Sequence, residues 1–280
     1  MKKNIKTLAI TGLVVGALAI GGIGTVAMAS GNAYQSYKDA VLSMTQENNQ
    51  TVVTSFTATE NDVAILTGSN IMKIDGSNSY SSSKVDAGSK SADTEQSTVN
   101  GNMIYRVGNE YTSATLDNRY DDRERPEASS SSTKLMNMVT DLLVGDVKTH
   151  FTSSGDNITV DLSGAQIPEL LNVAVSAMME QSDRQQARYD SESSYMDILS
   201  SLPITTDASI QSVHINADLA GGEIIGQTIA IVLTGNDNSG TSHAVELTIQ
   251  TETTDIGSTA VQAIDTTGKT VSEANLYDYR

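Results

Sequence analysis

The chain has 280 residues, a formal net charge of −17 and no cysteine. That charge argues against nucleic acid and anionic lipid headgroups as partners. The missing cysteines exclude disulfides and a thiol-linked lipid anchor, so the fold holds by core packing alone. Trp is absent, Phe occurs twice and Met ten times. The core therefore has to be aliphatic and Met-rich, with tyrosine as partly wet packing.

The first 29 residues read as a secretory leader. Lys2, Lys3 and Lys6 form a basic head, an apolar run follows over 8–28, and Ala27-Met28-Ala29 supplies small residues at a cleavage site before Ser30. Retained instead of cut, the leader would be long enough to tether the protein to the membrane; no other membrane contact is expected. Either way the expected location is outside the cytoplasmic membrane of a bacterium, expected to be Gram-positive, with one domain over 30–280.

The spacing predicts a helix over 32–44, with Tyr37, Val41 and Met44 on one face. The period then drops to two. In 51–59, Val52, Thr54, Phe56 and Ala58 share one face, and Val53, Ser55, Thr57 and Thr59 the other. Asn61-Asp62 turns the chain and 63–74 returns. Weaker strands are expected over 79–85 and 94–99, with 86–93 a polar loop. Asn100-Gly101 is the strongest hairpin signal, because both residues tolerate positive φ. Strands over 103–107 and 110–115 complete a meander.

Residues 117–132 break the pattern with mixed charges, Pro126 and a serine run. A loop this long is a linker or a lid. Helices follow over 133–144 and from Ile167 to about Met179, with a hairpin between them at 147–152 and 158–162. The last third alternates again. Val213, Ile215, Ala217 and Leu219 lead to Gly221-Gly222, then to Ile229, Ile231 and Leu233, then to Val245, Leu247 and Ile249. A final strand is expected through Val261 and Ile264.

The fold class expected is α+β: a curved antiparallel sheet, an open half-barrel, covered by a few helices. Such a sheet either packs solid or leaves an aliphatic cavity. Met72, Met103, Met138, Leu142, Leu171 and Met178 are the residues expected to line that cavity; the alternative is that they fill an irregular core.

Catalytic and metal signatures are weak. His150, His214 and His243 lie far apart in sequence and read as surface strand histidines. Neither GxSxG nor HExxH occurs. The 117–124 carboxylates are interleaved with arginines and carry no glycine, unlike a calcium loop. The 236–240 segment is better explained as a hairpin turn. No cofactor, metal or catalytic residue is expected.

The N-terminal helix carrying Tyr34-Gln35-Ser36-Tyr37-Lys38-Asp39-Ala40 leads into up-and-down strands, then helices, then more strands. With the hairpin from Asn100-Gly101-Asn102-Met103-Ile104-Tyr105 to Asn109-Glu110-Tyr111, that order resembles the exported LolA/LprG-like half-barrel proteins. The resemblance implies an unclosed barrel wrapped over helices, and a family of lipoprotein carriers and lipid-binding envelope proteins. No binding motif carries over residue by residue. Two functions stay open. One is a non-catalytic binding module for a lipid or other apolar ligand. The other is a structural protein of the envelope that contacts another envelope protein through its surface. An enzyme has no positive sign.

Overall fold

The structure, a computed structural model, describes residues 32–115, 147–169, 172 and 202–273. Helix α1 spans Asn32–Gln46. Six strands follow: β1 (Asn49–Glu60), β2 (Val63–Asp75), β3 (Asn78–Ala87), β4 (Lys90–Val99), β5 (Asn102–Val107) and β6 (Glu110–Thr115). A 3₁₀ turn, Val147–His150, precedes β7 (Phe151–Ser154) and β8 (Asn157–Ser163). Then come β9 (Thr206–Ala220), β10 (Glu223–Asn236), β11 (Ser242–Thr254) and β12 (Val271–Glu273).

Among the described residues these twelve strands form one sheet, in the order β12-β6-β5-β4-β3-β2-β1-β11-β10-β9-β8-β7. It is curved and unclosed. Neighbours are antiparallel except β12, which runs parallel to β6. The two meanders join where β1 pairs with β11, from Thr51↔Thr254 to Thr59↔Glu246. Among the described residues the fold is mostly β, with one long α-helix; that narrows the α+β expectation. The expected helix over 133–144 lies outside the described residues, as does most of 167–179.

Alternation sorts the side chains as the sequence implied. Helix α1 packs on one face, burying Tyr37, Ala40 and Val41 against Ile158, Val160, Ile215, Ala217, Ile229 and Ile249. Phe151 stacks on this seam, its ring centroid 5.1 Å from Tyr34 and 5.5 Å from Tyr37. A second cluster, with Leu66, Val85, Ala92, Ile204 and Val245, continues the core along the same face.

Three expectations are corrected. Segment 86–93 is not a loop: β3 and β4 continue through it, with Asp86↔Ser91 and Ala87↔Lys90 paired around Gly88, whose φ is +61°. The ladder bonds are made by backbone, so polar side chains on the solvated face do not end a strand. Segment 147–152 begins as a 3₁₀ turn and becomes strand only at Phe151. Val261 and Ile264 are not strand residues; the tail's strand is Val271–Glu273.

The tail crosses the outer face, opposite α1. Asn49 holds its start: Gly257 N donates to Asn49 O at 2.8 Å and Thr259 N to Asn49 Oδ1 at 2.7 Å. Thr259 Oγ1 lies 2.9 Å from Thr51 Oγ1. Further along, Ile264 N donates to Ser97 Oγ at 3.1 Å. Thr51 and Ser97 belong to one lateral row, Thr51–Lys73–Tyr80–Ser97–Ile104–Ser113, running across six strands. The tail follows that row to β6.

Candidate functional site

The helix-side face changes character between the two halves of the sheet. Under α1 it is largely aliphatic and buried, and at the far end of β2–β4 Leu66, Val85, Ala87 and Ala92 are buried as well. On β2–β5 it carries half-buried Met72, Ile74, Ser79, Ser81, Gln96 and Met103. Register places Met72 in the row Val52–Met72–Ser81–Gln96–Tyr105, and Met103 in the neighbouring row Gln50–Ile74–Ser79–Thr98–Met103. The two methionines thus share a face, with β3 and β4 between them. Asn70 stitches this face together: its amide donates to Ser81 Oγ (3.3 Å), Ser82 O (3.3 Å) and Ser83 Oγ (3.2 Å). Of the residues expected to line a cavity, Met138, Leu142, Leu171 and Met178 lie outside the described residues.

A groove of about 460 Å³ lies elsewhere, on the outer face over β9, β10, β11 and β1. Val53, Ile225, Asn216, Asp218, Gln250 and Glu252 line it. Asn157 fixes its far wall, donating from Nδ2 to Asp218 Oδ1 at 2.8 Å and to Asn216 Oδ1 at 3.0 Å. Val53 and Ile225 are exposed, as is Ile71, the cross-strand neighbour of Val53. The groove is mixed in chemistry and open, unlike an enclosed acyl cavity.

The same outer row continues through Ser82 and Glu95 to Arg106 and Tyr111. Arg106 donates from Nε to Glu95 Oε2 at 3.0 Å, and from a terminal nitrogen to Asp93 Oδ2 and to Gly108 O. Those carboxylates push the guanidinium further above its ordinary range. Tyr80 donates to Glu95 Oε1 at 3.3 Å, and burial raises its hydroxyl's pKa. The cluster ties β3, β4 and β5 together.

At the far end of β1, His243 Nδ1 lies 2.6 Å from Glu60 Oε1, and its Nε2 is 3.4 Å from Asp237 Oδ2, without hydrogen-bond alignment. The Glu60 carboxylate is the main cause holding the imidazole's pKa above its usual value. Asp237 Oδ1 accepts from Ser239 Oγ (2.7 Å), Ser239 N (2.8 Å) and Thr241 N (2.8 Å). These bonds, the Ser239 hydroxyl first, hold its carboxyl down at about 2. So the 236–240 segment is a hairpin turn satisfied by its own carboxylate, as the sequence suggested. His243 lies in β11 and is half-buried, with 18% of its side chain exposed. Sequence reading missed this pair because its members are 183 residues apart. His214 does sit on the surface, 2.6 Å from Asp161 Oδ1.

Two Ser-x-x-Lys spacings also occur, Ser81 with Lys84 and Ser131 with Lys134. Strand alternation puts Ser81 on the helix-side face and Lys84 on the outer face, too far apart in direction for a nucleophile and its base. The second pair lies outside the described residues. Among the described residues no group of three or more metal-binding side chains converges, and no helix is long and apolar enough to cross a membrane.

No family model matches the chain, and no curated protein matches it. Among solved structures it is similar to a LolA superfamily protein from Nitrosomonas europaea. The identity is 9%, the match covers 86% of this chain and 98% of that chain, and the TM-score is 0.18. An overlap that slight carries no argument about function.

Proposed function

We propose that this chain is an exported, non-catalytic binding protein of the bacterial envelope, which takes a lipid or other apolar ligand against the helix-side face of β2–β5. The supporting observation is the change along that face. The part under α1 is a largely aliphatic core, and Leu66, Val85 and Ala92 bury the far end of β2–β4, whereas the end of β2–β5 near the Asp75–Asn78 turn carries half-buried Met72, Ile74 and Met103 between rows of hydroxyls and amides. Methionine adapts its shape to apolar partners of different length. The flanking Ser, Thr, Asn and Gln suit the polar end of an amphiphile. The ionisable clusters have structural uses: Arg106 ties strands, and Asp237 satisfies its own turn.

The test is displacement of a fluorescent fatty-acid analogue from the purified protein. Met72→Glu and Met103→Glu should each weaken binding, because an unpaired carboxylate in an apolar contact is costly. Val53→Glu, on the outer face, should leave it unchanged. Binding indifferent to both methionine changes sinks the proposal.

A second reading has one observation in its favour. Exposed Val53, Ile71 and Ile225 lie together beside the outer-face groove, as expected of an interaction protein whose partner docks there. Val53→Glu would then be the variant that loses the partner.

A further inference from the structure

The tail that crosses the outer face ends by covering one edge of the sheet. β6 reads Glu-Tyr-Thr-Ser-Ala-Thr: after Glu110 it has no charge, no proline and no lysine, the devices that normally blunt an edge strand. Its outward side is met by β12, three residues long, through Val271↔Tyr111, Ser272↔Thr112 and Glu273↔Ser113. The opposite edge, β7, is only four residues long, and brevity itself is protective.

The guard is lightly attached. Its crossing segment is fixed at separate points: Thr259 at Asn49 and Thr51, Ile264 at Ser97, and Lys269 with its ammonium 5.9 Å from the Tyr111 ring centre. No residue of 255–273 belongs to either aliphatic core cluster. Between Thr259 over β1 and Val271 on β12 the chain crosses six strand spacings, about 29 Å. The residues between those two points could span roughly 40 Å if extended. The crossing is slack, so β12 can leave β6 without pulling on the core.

We propose that segment 255–273 is a removable edge guard, and that β6, once uncovered, is an interface for a second copy of this chain. A two-fold axis perpendicular to the sheet sets β6 antiparallel to its copy, and alternation requires that residues on the same face meet. With Thr112 opposite Thr112, Tyr111 meets Ser113 and Glu110 meets Ala114. No like charges oppose each other in this register. Self-complementarity favours a second copy over a foreign strand, and an isologous edge closes as a dimer. The net charge of −17 works against association, so the dimer should tighten as salt is added.

Sedimentation velocity tests this with four forms of the protein: full chain, chain ending at Thr254, that shortened chain with Thr112→Lys, and full chain with Thr259→Val and Ser97→Ala. The full chain should be monomeric and the shortened chain dimeric, more so at high salt. Thr112→Lys places lysines opposite each other and should return the shortened chain to monomer. Loss of the two anchors should raise the dimer fraction of the full chain. A shortened chain that is folded by circular dichroism and stays monomeric overturns the proposal, as does a dimer indifferent to Thr112→Lys. If the shortened chain does not fold, the anchor variant decides alone: no rise in dimer overturns the proposal.

Discussion

Gln227 of β10 donates its side-chain amide to the hydroxyl of Tyr37 on α1, and both side chains are buried. It is a polar link within the largely aliphatic seam between helix and sheet, beside the bond from Gln50 Nε2 to Met44 O at 2.8 Å. Burial pushes the Tyr37 hydroxyl up to about 12, against a smaller opposing effect of the Gln227 bond. The tyrosine stays neutral through the physiological range.

Removing one partner leaves the other buried and unsatisfied. Tyr37→Phe and Gln227→Leu should each lower stability by about 1–3 kcal/mol. The double variant should recover part of that loss, because no orphaned group remains. Urea denaturation of the four proteins reads this directly. Simple additivity of the two losses would mean the bond does not link helix to sheet.

Gly68 marks a close approach inside the sheet. It pairs with Phe56 across β1 and β2, and a Cβ there would fall 2.3 Å from Phe56 Cζ and 2.9 Å from Lys84 O. The ring can swing away but the carbonyl cannot. Gly68→Ala should therefore cost about 1–3 kcal/mol through overpacking. Phe56→Leu in the same chain should relieve some of it. A denaturation midpoint unmoved by Gly68→Ala would contradict the packing described.

His243 gives the protein a pH response of known sign. Glu60 raises the imidazole's pKa above 6.5 in the folded state. The stabilisation is therefore complete below 6.5 and is lost as pH rises through the folded value. Asp237 has the opposite sense: its contribution is present above 3.8 and is lost as pH falls through about 2. Thermal melts should show stability falling as pH rises above 6.5, with a shallower fall in His243→Gln. Identical slopes in the two proteins would show that His243 is not the responsible group.

The strands were readable where hydrophobic alternation is strong. Val52 to Ala58 and Val213 to Leu219 declare their faces, and Asn100-Gly101 declares its turn, with φ of 51° and 76°. The join of β3 to β4 was not readable, because Asp86, Lys90, Ser91 and Asp93 are polar and their strand state is fixed by neighbours across the ladder. The tail was misread for a related reason. Val261 and Ile264 look like strand residues, but this path is set by single bonds to Asn49, Thr51 and Ser97, far away in sequence. Met72 and Met103 share a face through the register of β2 to β5, which alternation within one strand does not fix. The outer groove was not legible either, because it depends on β1 pairing with β11 across the whole chain.

The most direct measurement is mass spectrometry of an organic extract from the protein purified out of an exporting bacterial host, beside the same extract from Met72→Glu. The account predicts a lipid or other apolar molecule in near-stoichiometric amount from the parent protein, and its loss from the variant. A clean extract from the parent, repeated after incubation with envelope lipids, would contradict it.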